Sequence, residues 1–66
     1  MKLTVNGEPI TLEQEMSIAD FLRSRSVSEM MAGVEHNLTW VRREDWNKIT
    51  LKENDRLEII RIMAGG

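Results

Sequence analysis

The feature that most constrains the fold is an Asn-Gly pair between two short runs of alternating polar and apolar residues. Residues 2–5 precede Asn6-Gly7, and residues 8–12 follow it. A two-residue type I′ turn needs positive φ at both central positions, which Asn and Gly adopt readily. We therefore predict a β-hairpin, with its second strand at a sheet edge because Pro9 has no N–H for a ladder. The side chains expected on its buried face are Leu3, Val5, Ile10 and Leu12.

A short amphipathic helix is predicted after the hairpin. Ser17 is a favourable N-cap residue, and Asp20 places a negative charge in the first turn. Ile18, Phe21 and Leu22 have the i, i+3, i+4 spacing of one helical face. We expect that face to pack on the hairpin as part of the core rather than to bind a partner.

The next thirty residues, 26–55, carry weaker signals. Residues 34–38 and 39–41 resemble a strand with a turn or kink near Asn37, and Trp46 is expected to cap the core after a solvated turn. Residues 48–51 suggest a short strand and residues 53–55 a turn. His36 is interpreted as a half-exposed strand residue rather than a catalytic base, because no nucleophile or orienting acid is placed with it.

The strand at residues 56–62 has apolar side chains on both faces. Leu57 and Ile59 are expected to face the helix, which leaves Ile60 and Ile62 on the opposite side. One interpretation is a central strand covered on both faces within the domain. We favour the other, in which Ile60 and Ile62 form an exposed patch that binds a partner, because so short a chain has no second covering layer.

Composition argues against several classes of function. With 66 residues and 41% hydrophobic content, the apolar side chains are needed for the core, which leaves little to line a deep active site. The chain has no Cys and one His, so no metal site is recognisable. A net charge of −2 with dispersed basic residues disfavours nucleic-acid binding. No targeting or membrane-spanning segment is visible, and we expect a soluble, cytoplasmic protein that is not an enzyme.

The sequence ends in Met63-Ala64-Gly65-Gly66, directly after the best strand candidate. Glycine lacks a Cβ, so such a tail can pass through a narrow slot, and no side chain crowds the last carbonyl. A terminal carboxylate becomes an acyl donor once it is adenylated by ATP. Frayed termini of small residues are also common, so the pair of glycines alone leaves both interpretations open.

Several segments together resemble the thiamine-biosynthesis sulfur carrier family, ThiS. The matching segments are residues 5–8, 18–22, 43–46 (Arg-Glu-Asp-Trp), 54–59 (Asn-Asp-Arg-Leu-Glu-Ile) and 64–66 (Ala-Gly-Gly). Where the family often has Asn-Gly-Glu and then a proline, this chain has Asn37-Leu38-Thr39 and Arg42. The resemblance implies one α+β domain over residues 1–66 with a β-grasp, ubiquitin-like fold. That fold would contain a mixed sheet of four to five strands, one main helix on one face, and a flexible tail at residues 63–66.

The resemblance also implies a chemistry carried out by partners. A ubiquitin-activating-like adenylyltransferase of the ThiF type would use ATP and magnesium to adenylate Gly66. A persulfide from a cysteine desulfurase system would then yield a Gly66 thiocarboxylate, and a thiazole synthase of the ThiG type would take its sulfur. The chain itself would bind no cofactor. The small residues Ala64 and Gly65 would keep the tail narrow enough to enter the active sites of two partners. The residues expected to dock on partners are Ile60, Arg61, Ile62 and Met63.

Two kinds of rival function share this ending. A sulfur carrier for molybdopterin synthesis or tRNA thiolation would have the same fold and the same glycines. A ubiquitin-like modifier would instead form isopeptide bonds to lysines. The compact length and the Arg-x-x-Trp motif at Arg43 and Trp46 favour the thiazole pathway.

Overall fold

Two β-hairpins and one helix are joined by a final strand, in a computed structural model that describes residues 1–62. The elements are β1 (Lys2–Val5), β2 (Glu8–Thr11), α1 (Ile18–Ser24), β3 (Ala32–His36), β4 (Thr39–Val41) and β5 (Arg56–Arg61), with 3₁₀ turns at Glu29–Met31 and Arg43–Asp45. The strands form a five-stranded sheet in the order β2-β1-β5-β3-β4. β1 and β5 run parallel, and the other neighbouring strands are antiparallel. This mixed sheet with one main helix confirms the predicted α+β class.

The first hairpin forms as its Asn-Gly turn predicts. Asn6 has φ 51° and Gly7 has φ 83°, so both turn residues are left-handed. Val5 pairs with Glu8 across the turn. β2 is an edge strand of the sheet, so the missing N–H of Pro9 removes no hydrogen bond between strands. On the predicted inner face, Leu3 and Leu12 are buried while Val5 and Ile10 are partly buried against the core.

The helix is capped by the residue that the sequence indicates. Ser17 is extended, and its Oγ accepts a hydrogen bond from the Asp20 N–H at 3.0 Å. Ile18, Phe21 and Leu22 are almost completely buried, so the predicted helical face packs into the core. The buried apolar residues are Leu3, Leu12, Ile18, Ala19, Phe21, Leu22, Ala32, Val34, Val41, Trp46, Leu51 and Leu57.

The region around Asn37 is a second hairpin rather than one kinked strand. β3 begins at Ala32, two residues before the predicted start, and His36 pairs with Thr39 across a two-residue turn. Asn37 has φ 51° and Leu38 has φ 71°, the left-handed pair that a type I′ turn requires. The second turn position holds Leu instead of Gly, which explains why the sequence signal was weak.

The predicted strand at residues 48–51 is wrong. This segment makes a single bridge, between Thr50 and Ser17, and lies across the start of α1. The Ile49 C=O accepts the Ile18 N–H at 3.0 Å, and the Leu51 N–H donates to the Met16 C=O at 2.9 Å. The first N–H groups of a helix have no acceptor within the helix. Here the extended segment supplies a carbonyl acceptor for one of them, the Ile18 N–H.

No helix among the described residues is long and apolar enough to cross a lipid bilayer.

Candidate functional site: an exposed face of the sheet

The two faces of β5 have different environments. Leu57 is buried and Ile59 is partly buried on the side of α1, as predicted. Ile60 is 44% exposed and Ile62 is 45% exposed. Because side chains alternate along a strand, Ile60 lies on the sheet face that α1 does not cover. The predicted apolar strip is therefore exposed, at the point where the described chain ends.

Trp40 adds a large aromatic side chain to this strip. It is 53% exposed, and it pairs with Glu35 on β3, diagonally next to Gly33. A Cβ on Gly33 would overlap the Trp40 ring and come 3.1 Å from Cδ1 of Ile62. The absence of a side chain at Gly33 thus lets Trp40 lie flat against the sheet beside Ile62. We call Trp40, Ile60 and Ile62, lying over Gly33, the far-face patch.

Two carboxylates lie next to the far-face patch. Glu35 and Glu58 are directly opposite each other in the β3–β5 register, and both are half-buried. They belong to the same face as Ile60 and Gly33, which form the next pair of that face. An apolar patch bordered by paired carboxylates suits a partner surface that is apolar with basic residues at its rim.

Arg61 and Met63 were grouped with the isoleucines in the sequence analysis. Arg61 is exposed, but it pairs with Ala32 and alternates onto the face of Leu57 and Ile59. It therefore borders the far-face patch without belonging to it. Met63 lies outside the described residues, as do Ala64, Gly65 and Gly66, and their assigned roles remain predictions.

Asp55 connects the second hairpin to the start of β5. Among residues 1–62, Asp55 is the one charged residue that is buried, with 8% of its surface exposed. Its carboxylate accepts hydrogen bonds from His36 Nε2 at 2.8 Å, Asn37 Nδ2 at 3.1 Å and the Lys52 N–H at 2.9 Å. Asn37 Oδ1 in turn accepts the Arg56 N–H at 2.8 Å. The hairpin that carries Trp40 is thereby fixed to the strand that carries Ile60.

These hydrogen bonds change the acidity of Asp55. Burial by itself raises the pKa of the carboxyl group, but the hydrogen bonds from His36, Asn37 and the Lys52 N–H outweigh it. The pKa of Asp55 is therefore held below its ordinary value of 3.8. At neutral pH the group is a charged acceptor that satisfies three donors.

His36 differs from its sequence interpretation in one respect. It is half-buried, as expected, but it does have an acid beside it, since Asp55 is 2.8 Å away. The two residues are 19 positions apart, and only the β3–β5 pairing brings them together. Within residues 1–62, the two side chains hydrogen-bond only to each other, to Asn37 and to the Lys52 N–H, which is the geometry of a structural link.

The part of the chain described here contains no group of three His, Asp or Glu side chains that could hold a metal ion. The hollow between α1 and the 3₁₀ turns has a volume of about 520 Å³ and is open to solvent. It is lined by Arg23 and Arg43 together with Glu29 and Glu44, so its charges balance.

Comparison with known proteins assigns the chain to a family. A family model described as "ThiS family" matches residues 3–66. A thiazole synthase of Paramagnetospirillum magneticum is 30% identical over 66 residues, and one of Magnetococcus marinus is 29% identical over 66 residues. Each match covers 100% of this chain but 20% of the relative, so the chain spans about a fifth of the length of these two proteins.

A solved structure has the same architecture. The crystal structure of thiamine biosynthesis protein ThiS from Geobacter metallireducens superposes with a TM-score of 0.87 at 32% identity. The match covers 100% of both chains. With the family match over residues 3–66 and the shared mixed sheet, the chain belongs to the ThiS family and has its β-grasp, ubiquitin-like fold.

Proposed function

We propose that the chain is a sulfur carrier for thiamine biosynthesis and serves the formation of the thiazole ring. The observation that carries this proposal is the family match over residues 3–66, which includes both the far-face patch and Gly65-Gly66. The two thiazole synthases that match the whole chain support thiazole as the product. In this function the chain is a protein co-substrate, and the catalytic groups belong to its partners.

The proposed chemistry takes place on the α-carboxylate of Gly66. This carboxylate attacks the α-phosphorus of ATP in a ThiF-type adenylyltransferase, releases pyrophosphate and becomes an acyl adenylate. The terminal sulfur of a persulfide supplied by a cysteine desulfurase system then attacks the acyl carbon, AMP leaves, and an acyl disulfide forms. A second thiol, from the sulfur-supplying system or a cellular reductant, attacks the S–S bond of this acyl disulfide, forms a disulfide with the former persulfide thiol and releases the Gly66 thiocarboxylate. The resulting thiocarboxylate donates its sulfur to a ThiG-type thiazole synthase. ATP and magnesium are bound by the activating partner.

The far-face patch provides the docking surface in this proposal. Trp40, Ile60 and Ile62 are large, exposed apolar groups on one face, and Ile62 directly precedes Met63 in the sequence. Aromatic and aliphatic side chains of this kind supply most of the binding energy at protein interfaces. Glu35 and Glu58 would orient basic residues at the rim of the partner's surface. Met63 and Arg61 complete the docking surface on either side of Ile62.

Mass spectrometry of the intact protein tests this chemistry. The chain is incubated with ATP, magnesium, a ThiF-type enzyme and a persulfide source. We expect a mass gain equal to one oxygen exchanged for sulfur, localised to Gly66 by fragmentation. Covalent adducts to lysines that survive reducing agent would instead support a ubiquitin-like modifier.

Removal of Gly65-Gly66 gives the matched control. Among residues 1–62, every residue of the buried core lies between Leu3 and Leu57, so the truncated chain is expected to unfold at the same temperature. Sulfur loading should be abolished. A truncated chain that still supports thiazole synthesis would contradict the proposal.

Genetic complementation identifies the product that the carrier serves. A deletion strain is expected to require thiazole and to be rescued by the intact chain but not by the truncated one. Loss of molybdoenzyme activity or of tRNA thiolation in the same strain, with normal thiazole synthesis, would assign the carrier to another pathway.

A further inference from the structure

The last residues of β5 have an unpaired backbone edge on the side of β1. β1 pairs with only Arg56 and Leu57, because it ends at Val5 and the chain then turns. On the other side, β3 pairs with β5 as far as Arg61. Within residues 1–62, no strand therefore borders β5 beyond Leu57 on the β1 side.

The hydrogen-bond pattern shows which groups face this edge. The Ile62 N–H donates to the Met31 C=O at 2.7 Å, so even-numbered residues bond towards β3. Alternation turns the odd-numbered residues the other way, and the Asn6 N–H accordingly donates to the Leu57 C=O at 2.8 Å.

Most of the backbone N–H and C=O groups beyond Leu57 on this edge make no hydrogen bond within residues 1–62. Asn6 Oδ1 accepts the Ile59 N–H at 2.7 Å and so ends the β1 side of the ladder. Within residues 1–62, the Ile59 C=O and the N–H and C=O of Arg61 make no hydrogen bond on this side. A row of free donors and acceptors on a strand is a template for one more strand.

Two hollows accompany this edge on the α1 side of the sheet. The first, of about 240 Å³, is lined by Val5, Ile10, Phe21 and Ile59, with Glu8 and Arg25 at its border. The second, of about 310 Å³, is lined by residues that include Val27, Met31, Ile59 and Arg61. Ile59 lines both hollows. Successive side chains on one face of a strand are about 7 Å apart, a spacing that suits adjacent hollows.

We propose that an extended segment of the partner thiazole synthase adds to this edge of β5, taking the position that β1 leaves empty. The inference rests on the proposed function, which supplies the partner. The segment would carry apolar side chains at alternate positions, to fill the two hollows. An acidic residue would face Arg61 at the second hollow, whose lining contains no carboxylate, whereas the first hollow is lined by both Glu8 and Arg25.

Amide hydrogen exchange of the whole chain, with and without a purified bacterial thiazole synthase, tests this pairing. The Arg61 amide is expected to exchange fast in the free chain and to slow by about tenfold or more in the complex. The Ile60 amide, which faces β3, serves as the internal reference. An Arg61 amide that stays fast in a formed complex would overturn the inference and leave the proposed function intact.

Proline at position 61 tests the same bond by affinity. Arg61→Pro removes an N–H that the β3 ladder does not use, and Arg61→Ala removes the side-chain charge but keeps the N–H. We expect Arg61→Pro to bind the synthase roughly fivefold to tenfold more weakly than Arg61→Ala. Equal affinities, with equal melting temperatures, would exclude strand addition. A wild-type chain that fails to bind any thiazole synthase would refute the proposed function and this inference with it.

Discussion

Asp55 shows how one buried side chain helps to set the geometry of the far-face patch. Three donors converge on its carboxylate, and they come from the end of β3, from the Asn37 turn and from the loop before β5. A buried acceptor removed from such a cluster leaves its donors unsatisfied. The hairpin that carries Trp40 then loses its side-chain hydrogen bonds to Asp55 and is held to β5 by the β3–β5 ladder and the Asn37 side chain.

Replacement of Asp55 should therefore lower stability in a pH-dependent way. At pH 7, Asp55→Asn is expected to reduce the free energy of unfolding by about 1–3 kcal/mol. Because the folded pKa is lowered, this contribution is present above the ordinary pKa of 3.8 and is lost as the pH falls through the folded value. The difference between wild type and variant should shrink below about pH 4. Urea unfolding at several pH values measures it.

Asp45, whose side chain is 43% exposed and lies 3.6 Å from Lys48, provides the control. Asp45→Asn should change the free energy of unfolding by less than about 0.5 kcal/mol at any of these pH values. A constant Asp55→Asn deficit between pH 7 and pH 3 would show that the deficit does not depend on the ionisation of Asp55.

Gly33 is the second residue whose identity is fixed by a contact. Gly33→Ala is expected to displace the Trp40 ring and cost about 1–3 kcal/mol of stability. In a Trp40→Ala background the same change should cost much less, because the overlapping ring is gone. A double-mutant cycle by thermal unfolding, with tryptophan fluorescence to follow the ring, measures the coupling. Additive effects would contradict the contact.

At the scale of elements, the two hairpins differ in their turn chemistry. The first uses Asn6-Gly7 and the second uses Asn37-Leu38, although all four residues have positive φ. A left-handed conformation costs a residue with a Cβ about 1–2 kcal/mol. Leu38 is 71% exposed, and burial does not offset much of this strain.

Leu38→Gly should consequently stabilise the protein by about 0.5–1 kcal/mol, after the higher entropy of Gly in the unfolded chain is subtracted. The matched change in the other hairpin, Gly7→Leu, should destabilise it, although the surroundings of Gly7 are open. Chemical denaturation of both variants checks the pair. Destabilisation by Leu38→Gly would mean that the exposed leucine makes contacts that compensate for the strain.

The sequence predicts those elements whose signals are local. The Asn6-Gly7 turn, the Ser17 cap and the two faces of β5 follow from neighbouring residues, and all three are confirmed. Residues 48–51 were assigned wrongly, because alternation cannot distinguish a sheet strand from an extended segment that pairs with a helix start.

Contacts between distant residues could not be predicted from one sequence. The His36–Asp55 pair and the stacking of Trp40 on Gly33 depend on the register between strands. The alternation of Trp40 with the buried Val41 was the one signal that could have placed the tryptophan on the exposed face.

For the whole molecule, the sheet separates the buried core from the far-face patch. Its inner face and α1 hold the buried core, while the far-face patch is exposed on the other side. Changes in the patch should therefore affect partner binding more than folding.

Ile60→Ser is expected to change the free energy of unfolding by no more than about 1 kcal/mol, because the side chain is already 44% exposed. Sulfur transfer should fall about tenfold or more if the patch anchors the partner. Leu38→Ser removes another exposed apolar side chain, at the hairpin tip, and should leave transfer unchanged. Equal rates of sulfur transfer by Ile60→Ser and Leu38→Ser would show that the partner does not dock on the far-face patch.

The position of β5 also determines when this protein can fold during its synthesis. β5 separates the two hairpins in the sheet, and it follows both of them in the sequence. Until the ribosome has released residues 56–61, the hairpins have no strand through which to join, and most contacts of β5 span long sequence separations. The sheet therefore closes only after Arg61 has emerged, so a shorter nascent chain cannot present a completed far-face patch.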